Sequence, residues 1–474
     1  MYRQMPPPRW SDPRRRRTTF SVLVAILAIV AGACSGGATP APTAAPTAAP
    51  ATSGASSAPT VAATSAAPSI APATIDLWLG GTLTTSTPGT PYNTWVEHVI
   101  TRFKAAYPGS DVKVSLLPPD NGQLAAQVQA AFASKKVPDV MLLYSGAYTT
   151  VYAGGLLQLN DLVNATPGFY DSLSGWDGSC INFDCKGGSG QIVAIPSDNF
   201  AFYLWYRKDV LAKAGITEPA KTWAEMLAQC DKLRAAGITP WVYGDRDGYT
   251  TSNMMTTQIT SYFEAGDVQK VLDGTIKYTD QKFLDAYKSL EDFKTHKCAS
   301  DTSSTREQLD AANDLLSGKV AYMEGAPGYL PTFDPVKDKI GIAWIPYAGT
   351  GPLSKGLSTF SNGDWVIPKD AAHKELAWEF IKLTVDEKAQ SDSEWVSLVG
   401  TPPANKAAAA AIVNPLVKYM ATQDQNTSMA VLDSVMPNPV ALVWYRELQQ
   451  AFAGKKSIQD ALAAVQQAQD TQAP

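Results

Sequence analysis

The chain has 474 residues, 45% hydrophobic and 18% charged, with 39 lysines and arginines against 44 aspartates and glutamates; that suits two or three domains of ordinary size. Residues 1–33 hold six of the arginines and one acid, Asp12, so the remainder carries 33 basic against 43 acidic side chains, net −10, which argues against nucleic acid as a partner. Three scattered histidines (His98, His296, His373) and five cysteines without Cys-x-x-Cys spacing give no zinc signature, and neither a metal nor a cofactor is expected.

Arg14 to Arg17 precede an apolar run from Phe20 to Ala33, which has the length of a secretory signal's hydrophobic region and is too short to span a bilayer comfortably. Residues 1–33 are therefore expected to direct export. The run ends in Ala31-Gly32-Ala33-Cys34-Ser35, which resembles the lipobox of bacterial lipoproteins, with Ala31 where Leu is more usual. That resemblance implies lipidation of Cys34; a plain signal peptide with an incidental Cys, or an uncleaved anchor, is the alternative. From Ser35 to Thr74 every residue except Val61 and Ile70 is Ala, Pro, Thr, Ser or Gly, with almost nothing to bury against the entropy of ordering the chain. Residues 34–74 thus read as a tether that reaches roughly 100 Å at the polyproline rise of about 3.1 Å per residue.

The body begins with an apolar strand, Ile75 to Leu79, closed by Gly80-Gly81, then a helix over Thr94–Tyr107 with Trp95, Val99, Phe103 and Ala106 on one face. A strand at Val112–Leu117, a helix at Leu124–Phe132 and strands at Val140–Tyr144, Ile192–Pro196 and Phe202–Tyr206 follow. Helices are expected at Trp223–Ala236, Gln281–Thr295 and Arg306–Ser317, and strands at Val320–Glu324 and Ile340–Pro346. Helices at Glu375–Leu383, Asn405–Tyr419, Trp444–Phe452 and Ile458–Ala468 complete the chain. This alternation predicts an α/β fold with parallel sheets, arranged as two lobes with extra C-terminal helices. In an exported protein the four body cysteines are free to form disulfides. Cys180 and Cys185, close together in a glycine-rich stretch, are the favoured pair, leaving Cys230 and Cys298 bonded or as buried thiols.

Catalytic motifs are missing. Gly318-Lys319 is followed by Val320 and Gly454-Lys455 by Lys456, so neither forms a phosphate-cradling loop, and Gly188-Ser189-Gly190 is not a nucleophile elbow. Paired carboxylates of a glycosidase converge only in space and stay open as an enzyme alternative. Twelve tryptophans and 19 tyrosines, several at strand ends, instead suit stacking on the apolar face of a sugar ring, with Asp, Asn and Gln to meet its hydroxyls.

Several segments in order carry a family resemblance: Val137-Pro138-Asp139-Val140-Met141, Tyr152-Ala153-Gly154-Gly155-Leu156, Ala194-Ile195-Pro196, Tyr206-Arg207-Lys208-Asp209-Val210-Leu211, Leu316-Ser317-Gly318-Lys319-Val320-Ala321-Tyr322-Met323-Glu324-Gly325 and Gly400-Thr401-Pro402-Pro403. Together they resemble the extracellular solute-binding proteins of sugar-importing ABC transporters, over about residues 75–470. The resemblance implies the periplasmic-binding-protein-like fold, with lobe 1 formed by 75–198 and 347–390 and lobe 2 by 199–346 and 391–474. It also implies a monomer that does no chemistry on its ligand and closes by hinge bending for a membrane permease. The protein would be anchored by lipid to the outer face of the cytoplasmic membrane. Carried over position by position, the binding residues are Trp78, Gly80 and Gly81 after the first strand, Asp120, Asn121 and Gln123 after the second, and Tyr144 and Ser145 after the third. Asp198, Asn199 and Phe200 stand at the first crossing, Asp247, Tyr249 and Glu324 in the second lobe, and Asn362, Gly363 and Asp364 at the return. Met436-Pro437-Asn438 followed by Trp444 resembles the segment whose Trp stacks on sugar in maltose-binding members, with a spacing two residues shorter. The expected ligand is a mono- or oligosaccharide; glycerol phosphate or a polyamine, or a secreted carbohydrate-active enzyme, are the alternatives.

Overall fold

The computed structural model describes residues 70–80, 88–118, 121–146, 151–180, 185, 190–246, 248–264, 266–300, 302–354, 359–422 and 431–472. The chain divides into residues 1–67 and 68–474. Every described residue belongs to the second part, so the export signal, Cys34 and the tether up to residue 69 lie outside them.

The first lobe opens with strand β1 (Thr74–Leu79), helix α1 (Pro91–Ala106), strand β2 (Asp111–Leu116), helix α2 (Asn121–Ser134) and strand β3 (Val140–Tyr144), followed later by β4 (Ile195–Pro196). Alternation places Ile75, Leu77 and Leu79 wholly inside while Asp76 faces outward. β3, by contrast, is buried on both faces from Val140 to Leu143, as a central strand must be. Pro91 at the first position of α1 supplies a preset helical φ, and Trp95, Val96, Val99 and Phe103 form its buried stripe.

The chain then crosses. Strands β5 (Phe200–Ala201) and β6 (Tyr203–Arg207), helix α3 (Trp223–Ala235), strand β7 (Thr239–Val242), helices α4 (Tyr249–Thr260), α5 (Gln281–Thr295) and α6 (Gln308–Ser317), and strands β8 (Val320–Gly325) and β9 (Ile340–Ala343) build the second lobe. The start of α3 is fixed by a capping box in which Thr222 Oγ1 accepts the Glu225 N–H and the Glu225 carboxylate accepts the Thr222 N–H, both at 3.2 Å. A return passes through β10 (Thr359–Phe360), paired antiparallel with β5, into β11 (Gly363–Val366). Helices α7 (Lys374–Thr384), α8 (Asn438–Phe452) and α9 (Ile458–Gln472) follow.

Among the described residues two larger sheets form, in the orders β2-β1-β3-β11-β4 and β7-β8-β6-β9. β1 runs parallel to β2 and β3, but β11 is antiparallel to β3 and β4, and β6 is antiparallel to β8 and β9. Both sheets are therefore mixed rather than wholly parallel, because strands entering from the crossings arrive in the opposite direction. The expected helix over Asn405–Tyr419 is divided into Lys406–Ala410 and Pro415–Ala421. Pro415 cannot continue a helix, and the Asn414 side chain caps the second piece by accepting from the Leu416 and Val417 N–H groups at 3.0 and 3.3 Å.

Trp395 stands edge-on to Trp95 of α1 at 4.6 Å, and Tyr203 of β6 donates to the Met420 carbonyl at 3.3 Å, so residues 391–421 touch elements of both lobes. In the segment 431–472, α8 and α9 lie against α4 and α5. Disulfides link Cys180 to Cys185 and Cys230 to Cys298, the latter tying α3 to the turn after α5.

Candidate functional site

The two crossings are held by a buried polar cluster on the first-lobe side. Asp198 Oδ1 accepts the Asn362 N–H at 2.7 Å and the Ser361 hydroxyl at 3.4 Å, while Ser179 donates to Asp364 Oδ1 at 3.1 Å. Ser145 donates to the Ser361 carbonyl, and the Gln390 side chain donates to the Ser197 carbonyl at 2.7 Å. No cation is among these partners. Burial accordingly pushes Asp198 up to about 7, against hydrogen bonds from Asn362, Ser361 and Thr401 that favour its charge. Asp364 is pushed up to about 8 by burial first, with repulsion from Asp198 adding to it. These two carboxyls, 2% and 0% exposed, fasten the crossings together.

A second group of side chains comes from both lobes. Tyr144 ends β3 in the first lobe and lies close enough to Tyr445 to interact with it electrostatically. Tyr445, on α8, stands edge-on to Tyr249 at the start of α4, with ring centroids 5.8 Å apart, and Tyr249 in turn meets Phe202 at 6.4 Å. The Tyr445 hydroxyl donates to Asp433 Oδ2 at 2.7 Å. Burial raises Asp433 to about 6, opposed by the Tyr445 hydrogen bond, its own backbone and nearby Ser252. Two glycines permit this approach. Gly248, at φ 80°, brings the start of α4 so near α8 that a Cβ would stand 2.5 Å from the Tyr445 carbonyl oxygen, and Gly146, at φ 74°, would meet the Ser434 carbonyl oxygen at 2.3 Å. Gly146 and Ser434 thus mark direct contact between the lobes. Tyr445 and Asp433 were missed in the sequence; the only available signal was their nearness to Trp444 and to Met436-Pro437.

Of the residues carried over from the family pattern, Tyr249 stands edge-on to Tyr445 and Tyr144 lies within electrostatic reach of it. Ser145, Asp198, Asn362 and Asp364 belong to the buried cluster at the crossings, and the Asn199 N–H donates to the Pro402 carbonyl at 3.0 Å. Gly80 and Gly363 serve packing: a Cβ would lie 2.8 Å from Leu117 Cδ1 and 3.1 Å from Leu142 Cδ1, respectively. Trp78 is partly buried against the first-lobe core and Gln123 is exposed on α2. Gly81, Asp120 and Asp247 lie outside the described residues, as do the side chains of Asn121 and Phe200.

Trp444 and Glu324 stand apart from this seam. Trp444 is fully buried, packed against Tyr278 and Phe283 with centroids 5.8 and 6.1 Å away, and its Nε1–H donates to Ser252 Oγ at 2.7 Å. Its neighbour Tyr445, about 100° further around the helix, takes the seam. Glu324 likewise lies inside the second lobe, where it accepts from Thr257 at 3.4 Å and borders a cavity of about 10 Å³ with Trp223, Trp241 and Gln258. Its carboxyl is pushed up to about 8 by burial.

Two mixed α/β lobes joined by short crossings, with side chains from both meeting at the seam, define a solute-binding architecture. The chain belongs to the family of bacterial extracellular solute-binding proteins, which it matches over residues 86–391. An uncharacterised ABC transporter extracellular-binding protein of Pyrococcus horikoshii is 22% identical over 345 residues, 70% of this chain and 74% of the relative. The sn-glycerol-3-phosphate-binding periplasmic protein of Yersinia pseudotuberculosis is 24% identical over 398 residues, 77% of this chain and 86% of the relative. Among solved structures, a chitin oligosaccharide binding protein superposes with a TM-score of 0.73 at 22% identity, covering 84% of this chain and 98% of the other.

Proposed function

We propose that this solute-binding protein captures a carbohydrate between its lobes and delivers it unchanged to the permease of an ABC importer. The observation that carries the choice of ligand is the edge-on pair of Tyr445 and Tyr249, with the Tyr445 hydroxyl on the Asp433 carboxyl and Tyr144 of the first lobe within electrostatic reach of Tyr445. Aromatic rings stack on the C–H face of a sugar, and carboxylates accept from its hydroxyls. Contacts made by both lobes stabilise the closed state, which a permease then distinguishes from the open one. In this scheme lobe 1 comprises 75–198 and 347–390, lobe 2 comprises 199–346 and 391–474, and a diacylglycerol on Cys34 holds a monomer at the outer face of the cytoplasmic membrane.

A second reading, glycerol phosphate, is favoured by the resemblance to a protein named for that ligand. A phosphate calls for Arg, Lys or clustered N–H donors, whereas the side chains that meet here are tyrosines and a carboxylate. Thermal melts against mono- and oligosaccharides, glycerol 3-phosphate and spermidine separate these outcomes. A ligand at 100 times its dissociation constant adds about 2.7 kcal/mol. A shift with a sugar that is recovered chemically unchanged supports the proposal, and a shift with glycerol 3-phosphate alone replaces the sugar.

A further inference from the structure

Asp433 is 6% exposed, yet only one of its carboxyl oxygens is engaged. Oδ2 accepts from the Tyr445 hydroxyl at 2.7 Å; Oδ1 has no hydrogen-bond partner among the described residues. Ser252 beside it favours the charged carboxylate, and its own Oγ accepts the Trp444 N–H at 2.7 Å. The adjoining Ser434 carbonyl touches Gly146 of the first lobe. A buried carboxylate oxygen left unpaired at such a seam costs more than an ordinary hydrogen bond returns. That cost is recovered when a ligand supplies a donor.

We propose that Asp433 Oδ1 receives a hydroxyl of the bound sugar and is the specificity-determining acceptor of the site, with Ser252 and Trp444 as positioning residues behind it. This rests on the carbohydrate reading and narrows it to a ligand that presents a hydroxyl donor beside its stacked face and no anionic group. A phosphate would set like charge against the unpaired oxygen.

Calorimetric titration of the whole protein and of D433N and Y445F with chitobiose, xylobiose, maltose, glycerol 3-phosphate and spermidine tests this. The wild type is expected to bind one of the sugars, and D433N to bind that sugar about ten- to hundredfold more weakly, the range for a hydrogen bond to a charged group, with its melting temperature retained. Y445F keeps the ring and is expected to lose less. The groups facing the carboxyl are Tyr445 from α8, Ser252 from α4 and its own backbone, and its ordinary range is raised to about 6. Sugar affinity should therefore fall as pH drops below about 6, and D433N should flatten that profile. Equal sugar affinity in wild type and D433N overturns the role of Asp433 and leaves the carbohydrate reading standing. Binding of glycerol 3-phosphate or spermidine alone by the wild type overturns both. Should D433N fail to fold, a wild-type sugar affinity that stays flat from pH 5 to 7.5 also overturns the proposal.

Discussion

Trp444 and Tyr445 are neighbours in sequence and opposites in environment. Trp444 fills the second-lobe core and Tyr445 faces the seam. Trp444→Ala is therefore expected to cost about 3–5 kcal/mol of stability, read as an earlier denaturant midpoint. Tyr445→Ala is expected to weaken ligand binding by about 1–3 kcal/mol with a much smaller change in that midpoint. The buried acids give a second prediction. Asp364, pushed up to about 8 from an ordinary 3.8, binds its proton more tightly folded than unfolded. Its contribution to stability is full below about pH 4 and is lost as pH rises through 8, at about 1.4 kcal/mol per pKa unit. Asp198, at about 7, acts in the same direction. Melting temperature should fall between pH 5 and 8.5 in the wild type and fall less in D364N; parallel slopes would show that Asp364 stays charged when folded.

At the scale of elements, apolar periodicity located β3 and α5 to the residue but missed α4. Its sequence, Tyr249 to Thr260, is mostly Thr, Ser, Asn, Gln and Met, with no apolar stripe, because Thr250 to Thr260 are all buried and no face of the helix meets solvent. β7 and β11 also escaped notice, since four-residue strands broken by Pro240 or begun by Gly363 show too little alternation. The Cys230–Cys298 bridge closes 68 residues around α3, β7, α4 and α5. Loop-closure entropy gives it about 4 kcal/mol. The double variant C230S/C298S should therefore unfold at distinctly lower denaturant than the wild type, while the short Cys180–Cys185 loop contributes less.

For the whole molecule the decisive contact is Gly146 against Ser434. In G146A the added methyl group and the positive φ both oppose this approach, so the lobes are held further apart. Ligand affinity should drop, and X-ray scattering should show a larger radius of gyration with saturating ligand than the wild type gives; unchanged scattering and affinity would separate this contact from closure. The sequence by itself determined the alternation of strands and helices, the ordered family segments and the acidic body, because these depend on local periodicity and composition. It also marked Tyr144, at the end of the legible strand β3, and Tyr249, through the family pattern alone, since the helix that Tyr249 begins was missed. Only the tertiary structure decided that Trp444 turns inward, that Asp198 and Asp364 share one buried cluster across 166 positions of sequence, and that Tyr445 bonds Asp433 within electrostatic reach of Tyr144. Helix phase, burial and contact between distant segments depend on how the lobes pack, and no local pattern records that.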